Sequence, residues 1–187
     1  MATLESTPKT RTPRRRAIKA SECIADYGAS AGVLSFRHGL RVRERNAIDK
    51  ALAIVGRCLV QNRTVFATPD AVKLYLQLQI SGEQTERFAV LFLDVQNRFI
   101  AFETMFIGTL TQTSVYPREV VMAALAHGAA AVVLAHNHPS GIVQPSRADE
   151  ALTQALKTTL ALIDVRVLDH VIIASNDALS MAERGLL

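Results

Sequence analysis

Ala135-His136-Asn137-His138-Pro139-Ser140-Gly141-Ile142-Val143-Gln144-Pro145-Ser146-Arg147-Ala148-Asp149 is the stretch on which the reading of this 187-residue chain turns. Just ahead of it, residues 130–134 (AAVVL) form a short apolar run that reads as a buried strand. Strand side chains alternate between faces, so His136 and His138 project to one side and Asn137 to the other. Pro139 and Gly141 stop the strand and turn the chain. Pro145-Ser146 then opens a helical run, with Ser146 as N-cap and Asp149 in the first turn, where a carboxylate suits the helix dipole.

The turn therefore brings Asp149 back over the strand end that carries the two imidazoles. Two neutral histidines and one carboxylate suit Zn²⁺ and leave a fourth tetrahedral place for water, the pattern of a catalytic rather than a closed structural site. The plainer alternative is a polar turn whose histidines satisfy nearby backbone groups. A lone histidine would favour that alternative; two at strand spacing, followed by a carboxylate on the next helix, favour a metal.

His-x-His, seven residues, Ser, two residues, Asp is the signature of the JAB/MPN (JAMM) zinc metallopeptidases, and His136, His138, Ser146 and Asp149 match it without a gap. The fuller string HNHPSGIVQPSRAD, preceded by YPREVVMAALAHGAAAVVLA and followed by VRVLDHVII, resembles the RadC-like branch of that clan over residues 68–187. The resemblance implies an α/β fold, a mixed sheet flanked by helices as in the cytidine deaminases. It implies a zinc-dependent hydrolase that cleaves a peptide or isopeptide-like amide through metal-activated water, acting on a peptide or protein substrate. It also carries an alternative, a DNA repair-related factor whose metal site is structural or vestigial.

Composition sets the outer bounds. Nearly half the residues are hydrophobic, at 49%, which places the chain among globular rather than disordered proteins. No apolar run approaches the length of a membrane span, and the polar, basic N-terminus has no apolar stretch of the signal-peptide kind. Two widely spaced cysteines, Cys23 and Cys58, give neither a disulfide framework nor a zinc knuckle, and a reduced, cytoplasmic setting is expected. Charge is uneven: residues 1–50 hold eleven Lys or Arg against five Asp or Glu, and the remainder ten against twelve.

Three segments follow from that pattern. Residues 1–43 are expected to be a basic, partly disordered segment, its first twenty residues a mobile arm around Arg14-Arg15-Arg16. Such an arm can contact nucleic acid through phosphate attraction or serve only as a solubilising tail. Binding whose steep salt dependence vanishes with residues 1–20 separates the two. Members of the RadC-like branch often carry a helix-hairpin-helix module at this end, but residues 21–43 show no paired-helix glycine hairpin.

Residues 44–67 read as a helical connector, with Ile48, Leu52, Val55 and Leu59 on one stripe of a helix over 44–61. Residues 68–187 form the metallo-domain. Within it Thr68-Pro69-Asp70 starts a helix over 70–79, and residues 88–93 (FAVLFL) form a strand covered on both faces. Residues 99–108 pair back onto that strand as a hairpin. Pro117 opens a helix to His127 with Val120, Val121, Ala124 and Leu125 buried. Residues 146–163 form another helix with Leu152, Leu156, Thr159 and Ile163 facing inward, and residues 165–174 a last strand.

A metal-activated water needs a base, and the residues alone offer Glu83, Glu86 and Glu103 around the hairpin. The resemblance selects Glu86, because the activating glutamate of JAMM proteins stands at the start of such a strand. It also implies that Ser146 stabilises the oxyanion formed on a carbonyl, beside its capping role. Asn137, Ser140 and Gly141 read as loop-shaping, and His38 and His127 as ordinary residues. His170, beside Asp169, reads as a satisfied strand histidine, with support of a metal ligand from behind as the alternative. The lone ligand set disfavours two-metal phosphodiester chemistry, and the absence of cysteine ligands with a His-x-Glu pair disfavours deamination.

Overall fold

The computed structural model of the chain describes residues 40–66, 68–108, 114–174 and 177–187. The expected arm, Cys23, His38 and most of the polar loop over 109–116 lie outside the described residues.

The architecture follows from where the continuous apolar runs fall. Residues 88–93 become β1 (Arg87–Leu93), buried from Phe88 onward, and pair antiparallel with β2 (Phe99–Ile107) on one side. On its other side β1 pairs antiparallel with β3 (Ala131–Asn137), which is buried throughout. β3 runs parallel to β4 (Arg166–Ala174), and β5 (Asp177–Ser180) closes the sheet antiparallel to β4. The order is β2-β1-β3-β4-β5, a mixed sheet with its most apolar strands in the middle, as burial on both faces requires.

Helices cover both faces. α1 (Val42–Gln61) touches β2 and buries none of its residues fully; Ile48, Leu52 and Leu59 are half-buried, whereas Val55 of the expected stripe is exposed. α2 (Pro69–Ile80) begins as expected: the Thr68 hydroxyl accepts from Ala71 N–H and Pro69 takes the first turn, where no donor is needed. Tyr75, Leu76 and Ile80 pack on Ala89, Leu91, Leu93, Val133, Ala135, Val171 and Ile173.

α3 (Pro117–His127) ends at Gly128, whose φ of 59° is a left-handed cap that costs glycine nothing. α4 (Arg147–Ala161) and α3 cover the second face, where Val120, Ala124, Leu156 and Leu160 meet Phe88, Val90, Phe92, Val132 and Leu134. Several expected inward positions are less buried than the sequence implies. Leu125 is 60% exposed, and the fully buried positions of α4 are Thr153, Leu156 and Leu160, with Leu152, Thr159 and Ile163 only half-buried. α4 is thus rotated so that Asp149, Thr153, Leu156 and Leu160 form one i, i+4, i+7, i+11 line toward the sheet.

Candidate metal centre

β3 carries the site because it outlasts its apolar run. The strand continues through His136 and Asn137, and its pairing reaches one residue further, His138 N–H donating to Ile173 O at 2.7 Å. His136 and His138 therefore share the face of Val132 and Leu134, as alternation requires. Asn137 points the other way. Its Oδ1 accepts from Arg87 N–H at 2.8 Å, and its Nδ2 donates to the Glu83 and Thr85 carbonyls at 3.3 and 3.2 Å. Read in the sequence as loop-shaping, Asn137 is a buried strand residue that ties β3 to the approach of β1.

The turn after His138 is closed by Gly141 N–H donating to His138 O at 3.1 Å, with Gly141 at φ 81°, a backbone conformation that favours glycine. This returns the Ile142 carbonyl to His138, whose Nδ1–H donates to it at 2.6 Å. A carbonyl only accepts, so the proton sits on Nδ1 and the Nε2 lone pair faces inward. Ser146 caps α4 reciprocally. Its hydroxyl accepts from Asp149 N–H at 3.1 Å and donates to Asp149 Oδ2 at 2.7 Å, while its own N–H donates to the same oxygen at 2.7 Å. Oδ1 is left to face His136.

The three donors converge. His136 Nε2 lies 2.8 Å from His138 Nε2 and 3.4 Å from Asp149 Oδ1, and His138 Nε2 lies 3.7 Å from Asp149 Oδ2. Tetrahedral ligands about 2.0–2.1 Å from one zinc ion stand about 3.3 Å apart, a spacing these separations bracket. Among the described residues this is the cluster of three or more His, Cys, Asp or Glu side chains able to hold a metal ion. Two imidazole nitrogens and a carboxylate oxygen are a donor set that a borderline cation such as Zn²⁺ accepts.

Electrostatics divide the three donors. Burial pushes the Asp149 carboxyl up, but His138, the charge of His136 and the Ser146 hydrogen bonds together hold it well below the usual carboxylate range. Burial holds His136 down to about 4, against the pull of Asp149. His138, half-exposed, is raised by Asp149 against its own burial, with the Ile142 carbonyl and Glu86 adding to the rise.

The three carboxylates that the sequence left open stand in different places. Glu103 pairs with His127 Nε2 at 2.8 Å, and Glu83 pairs with Arg87 Nη2 at 2.8 Å, beside the side chain that leaves β1 on the Asn137 side. Phe88 is the cross-strand partner of His136, so continuing the register by two residues sets half-buried Glu86 opposite His138. Its charge acts on that imidazole.

A family model described as RadC-like JAB domain matches residues 66–186. The chain belongs to the RadC-like JAB family. Curated relatives are named only UPF0758 protein. One from Albidiferax ferrireducens is 68% identical over 152 residues, 80% of this chain and 65% of that protein. One from Variovorax paradoxus is 65% identical over 179 residues, covering 90% and 80%, and one from a Polaromonas species is 52% identical over 190, covering 96% and 85%. The chain thus spans less than two thirds of the length of the first of these.

Around this RadC-like JAB site the structure gives partners to His170, whose role the sequence left open, and adds Thr153, which the sequence did not single out. His170, fully buried on β4, places Nε2 2.8 Å from His136 Nδ1 and Nδ1 2.6 Å from Thr153 Oγ1. Burial holds its pKa well below the ordinary value. The signal was a matter of parity. A histidine in an apolar strand has to find polar company on one face, but only the β3–β4 register says which.

Proposed function

We propose that this chain is a zinc-dependent hydrolase of the JAMM metallopeptidase type, cleaving a peptide or isopeptide-like amide. The observation that carries the reading is the convergence of His136, His138 and Asp149 on one point with Glu86 at the neighbouring strand entry. His136, His138 and Asp149 would hold the ion. When bound, Zn²⁺ supplies Lewis-acid polarisation of a water and of the scissile carbonyl.

The chain's own groups do the rest. Glu86 accepts the proton of the attacking water and returns it to the leaving amine. It stands immediately before β1, a strand buried in the sheet, where the register continued beyond Phe88 and His136 sets it opposite His138. The Ser146 hydroxyl, the group that orients Asp149, donates to the carbonyl oxygen as negative charge grows there. It must turn from Asp149 Oδ2 to do so, and the Ser146 N–H remains on that oxygen to keep the ligand placed.

The test combines metal analysis of the purified protein with a screen of peptide and isopeptide substrates. Glu86→Gln is expected to retain zinc and lose about 10²–10⁴-fold in turnover, whereas His138→Ala is expected to lose the metal. A protein that takes up no zinc would end the hydrolase reading, and a fully active Gln variant would remove Glu86 from it.

A further inference from the structure

We propose that His170 and Thr153 are positioning residues that hold the proton of His136 on Nδ1 and so turn its Nε2 lone pair toward Asp149 and His138.

The order of protons is set from the far end. Thr153 Oγ1 donates to the Asp149 carbonyl at 2.6 Å, one turn back along α4, and a carbonyl has no hydrogen to give. The Thr153 oxygen, its hydrogen spent, accepts from His170 Nδ1–H at 2.6 Å. A neutral imidazole carries one N–H, so His170 Nε2 is bare and accepts from His136 Nδ1–H at 2.8 Å. His136 Nε2 is then bare as well.

The neighbouring ligand reaches the same state independently, through His138 Nδ1–H on the Ile142 carbonyl. Two bare nitrogens 2.8 Å apart aim lone pair at lone pair, an arrangement relieved by a cation between them. The relay starts from the backbone of Asp149, so one helical turn presents the third donor and fixes the tautomer of the first. Its surroundings keep it directional. Phe88 packs edge-on against the His170 ring at 5.8 Å, and the Met181 sulfur, a weak acceptor, is 3.7 Å from the Thr153 hydroxyl.

The consequence for metal binding rests on the proposed ligand role of His136; the tautomer itself does not. Long-range proton–nitrogen NMR on the metal-free, ¹⁵N-labelled chain reads the tautomer directly, and chelator competition at fixed pH reads zinc affinity. In the parent, His136 is expected to be protonated on Nδ1. Thr153→Val and His170→Phe keep volume but break the relay, and are expected to weaken zinc binding by about 10–100-fold. Thr153→Ser restores the hydroxyl, and His170→Gln offers a side-chain carbonyl near the position of Nε2; both are expected to bind close to the parent.

A packing role for His170 predicts the reverse ranking, with Phe better than Gln. Nε2 protonation of His136 in the metal-free parent overturns the proposal, as does undiminished zinc affinity in the folded Val and Phe variants. A parent that shows the Nδ1–H tautomer yet takes up no zinc would support the relay and refute the metal reading, so the two can fail separately.

Discussion

The two faces of the sheet are built from the same strands and end differently. On the side covered by α2, alternation delivers Ala89, Leu91, Leu93, Val133, Ala135, Val171 and Ile173, and the row closes on Asn137, whose amide is used up by backbone groups of the β1 approach. On the side covered by α3 and α4 the row is Val90, Phe92, Val132 and Leu134, after which it turns polar with His136, His170, Thr153 and Asp149. One face is apolar up to its last residue, where a polar group serves the backbone. The other changes character at the strand ends and turns its polar groups on one another. A single-residue alternation thus separates what holds the fold together from what can bind an ion.

That separation is open to being broken. The heaviest blow to stability is expected from Leu91→Ala, fully buried at the centre of the apolar face. Lost transfer energy and the residual cavity cost about 2–5 kcal/mol, measured by urea unfolding of the metal-free protein. Zinc stoichiometry of the folded fraction should not change. Loss of zinc at preserved fold would show that the two faces are coupled after all.

The site face should instead reveal itself through pH. His136 is pushed down to about 4 by burial, and His170 well below its ordinary value for the same reason, whereas both take up protons near pH 6.5 when unfolded. Below about 6.5 the unfolded chain therefore binds protons that the folded chain refuses, and stability falls as pH drops toward 4. His136 alone contributes about 3 kcal/mol to that loss. His138, raised by Asp149, acts in the opposite sense: its contribution is present below its unfolded value and is lost as pH rises through the folded one. Denaturant midpoints of the metal-free protein between pH 7 and 4.5 check the net decline. Leu91→Ala should lower the whole curve without altering its slope.

What the sequence made legible follows the same division. Runs apolar on both faces, as in β1 and β3, announce central strands, and Pro117 and Thr68-Pro69 mark helix starts by local chemistry alone. The convergence of His136, His138 and Asp149 was readable because their spacing encodes strand, turn and helix within fourteen consecutive residues, 136–149. β5 was not readable: Asp177-Ala178-Leu179-Ser180 is short and half polar, and its place comes from pairing with β4. Part of that tie is the Ser180 hydroxyl donating to Asp169 Oδ2 at 2.6 Å. The inward face of α4 was legible only in part: Leu156 is fully buried and Leu152 and Ile163 pack against the same core, but hydrophobicity gives no sign that polar Thr153 faces in. His170 needed the register between two strands separated by a whole helix, which no local pattern supplies.

The smallest change in stability, and the finest probe of where cap ends and chemistry begins, is expected at Ser146. Ser146→Ala removes the oxygen that accepts from Asp149 N–H at 3.1 Å, a helix cap worth about 1 kcal/mol. It also removes one of two donors to Asp149 Oδ2, but alanine keeps the backbone N–H that donates at 2.7 Å, so the carboxylate stays aimed and zinc affinity should hardly move. Turnover then isolates the hydroxyl's second task. A donor that meets the growing negative charge on a carbonyl oxygen is worth about 10²–10³-fold in rate, far more than the lost cap can explain through the folded population. Ser146→Ala is therefore expected to lower turnover within that range while zinc content and the pH dependence of unfolding stay near the parent's. A turnover loss no larger than the lost stability would leave Ser146 a cap and nothing more, and its hydroxyl would belong with Asn137 among the groups that serve the backbone rather than the reaction.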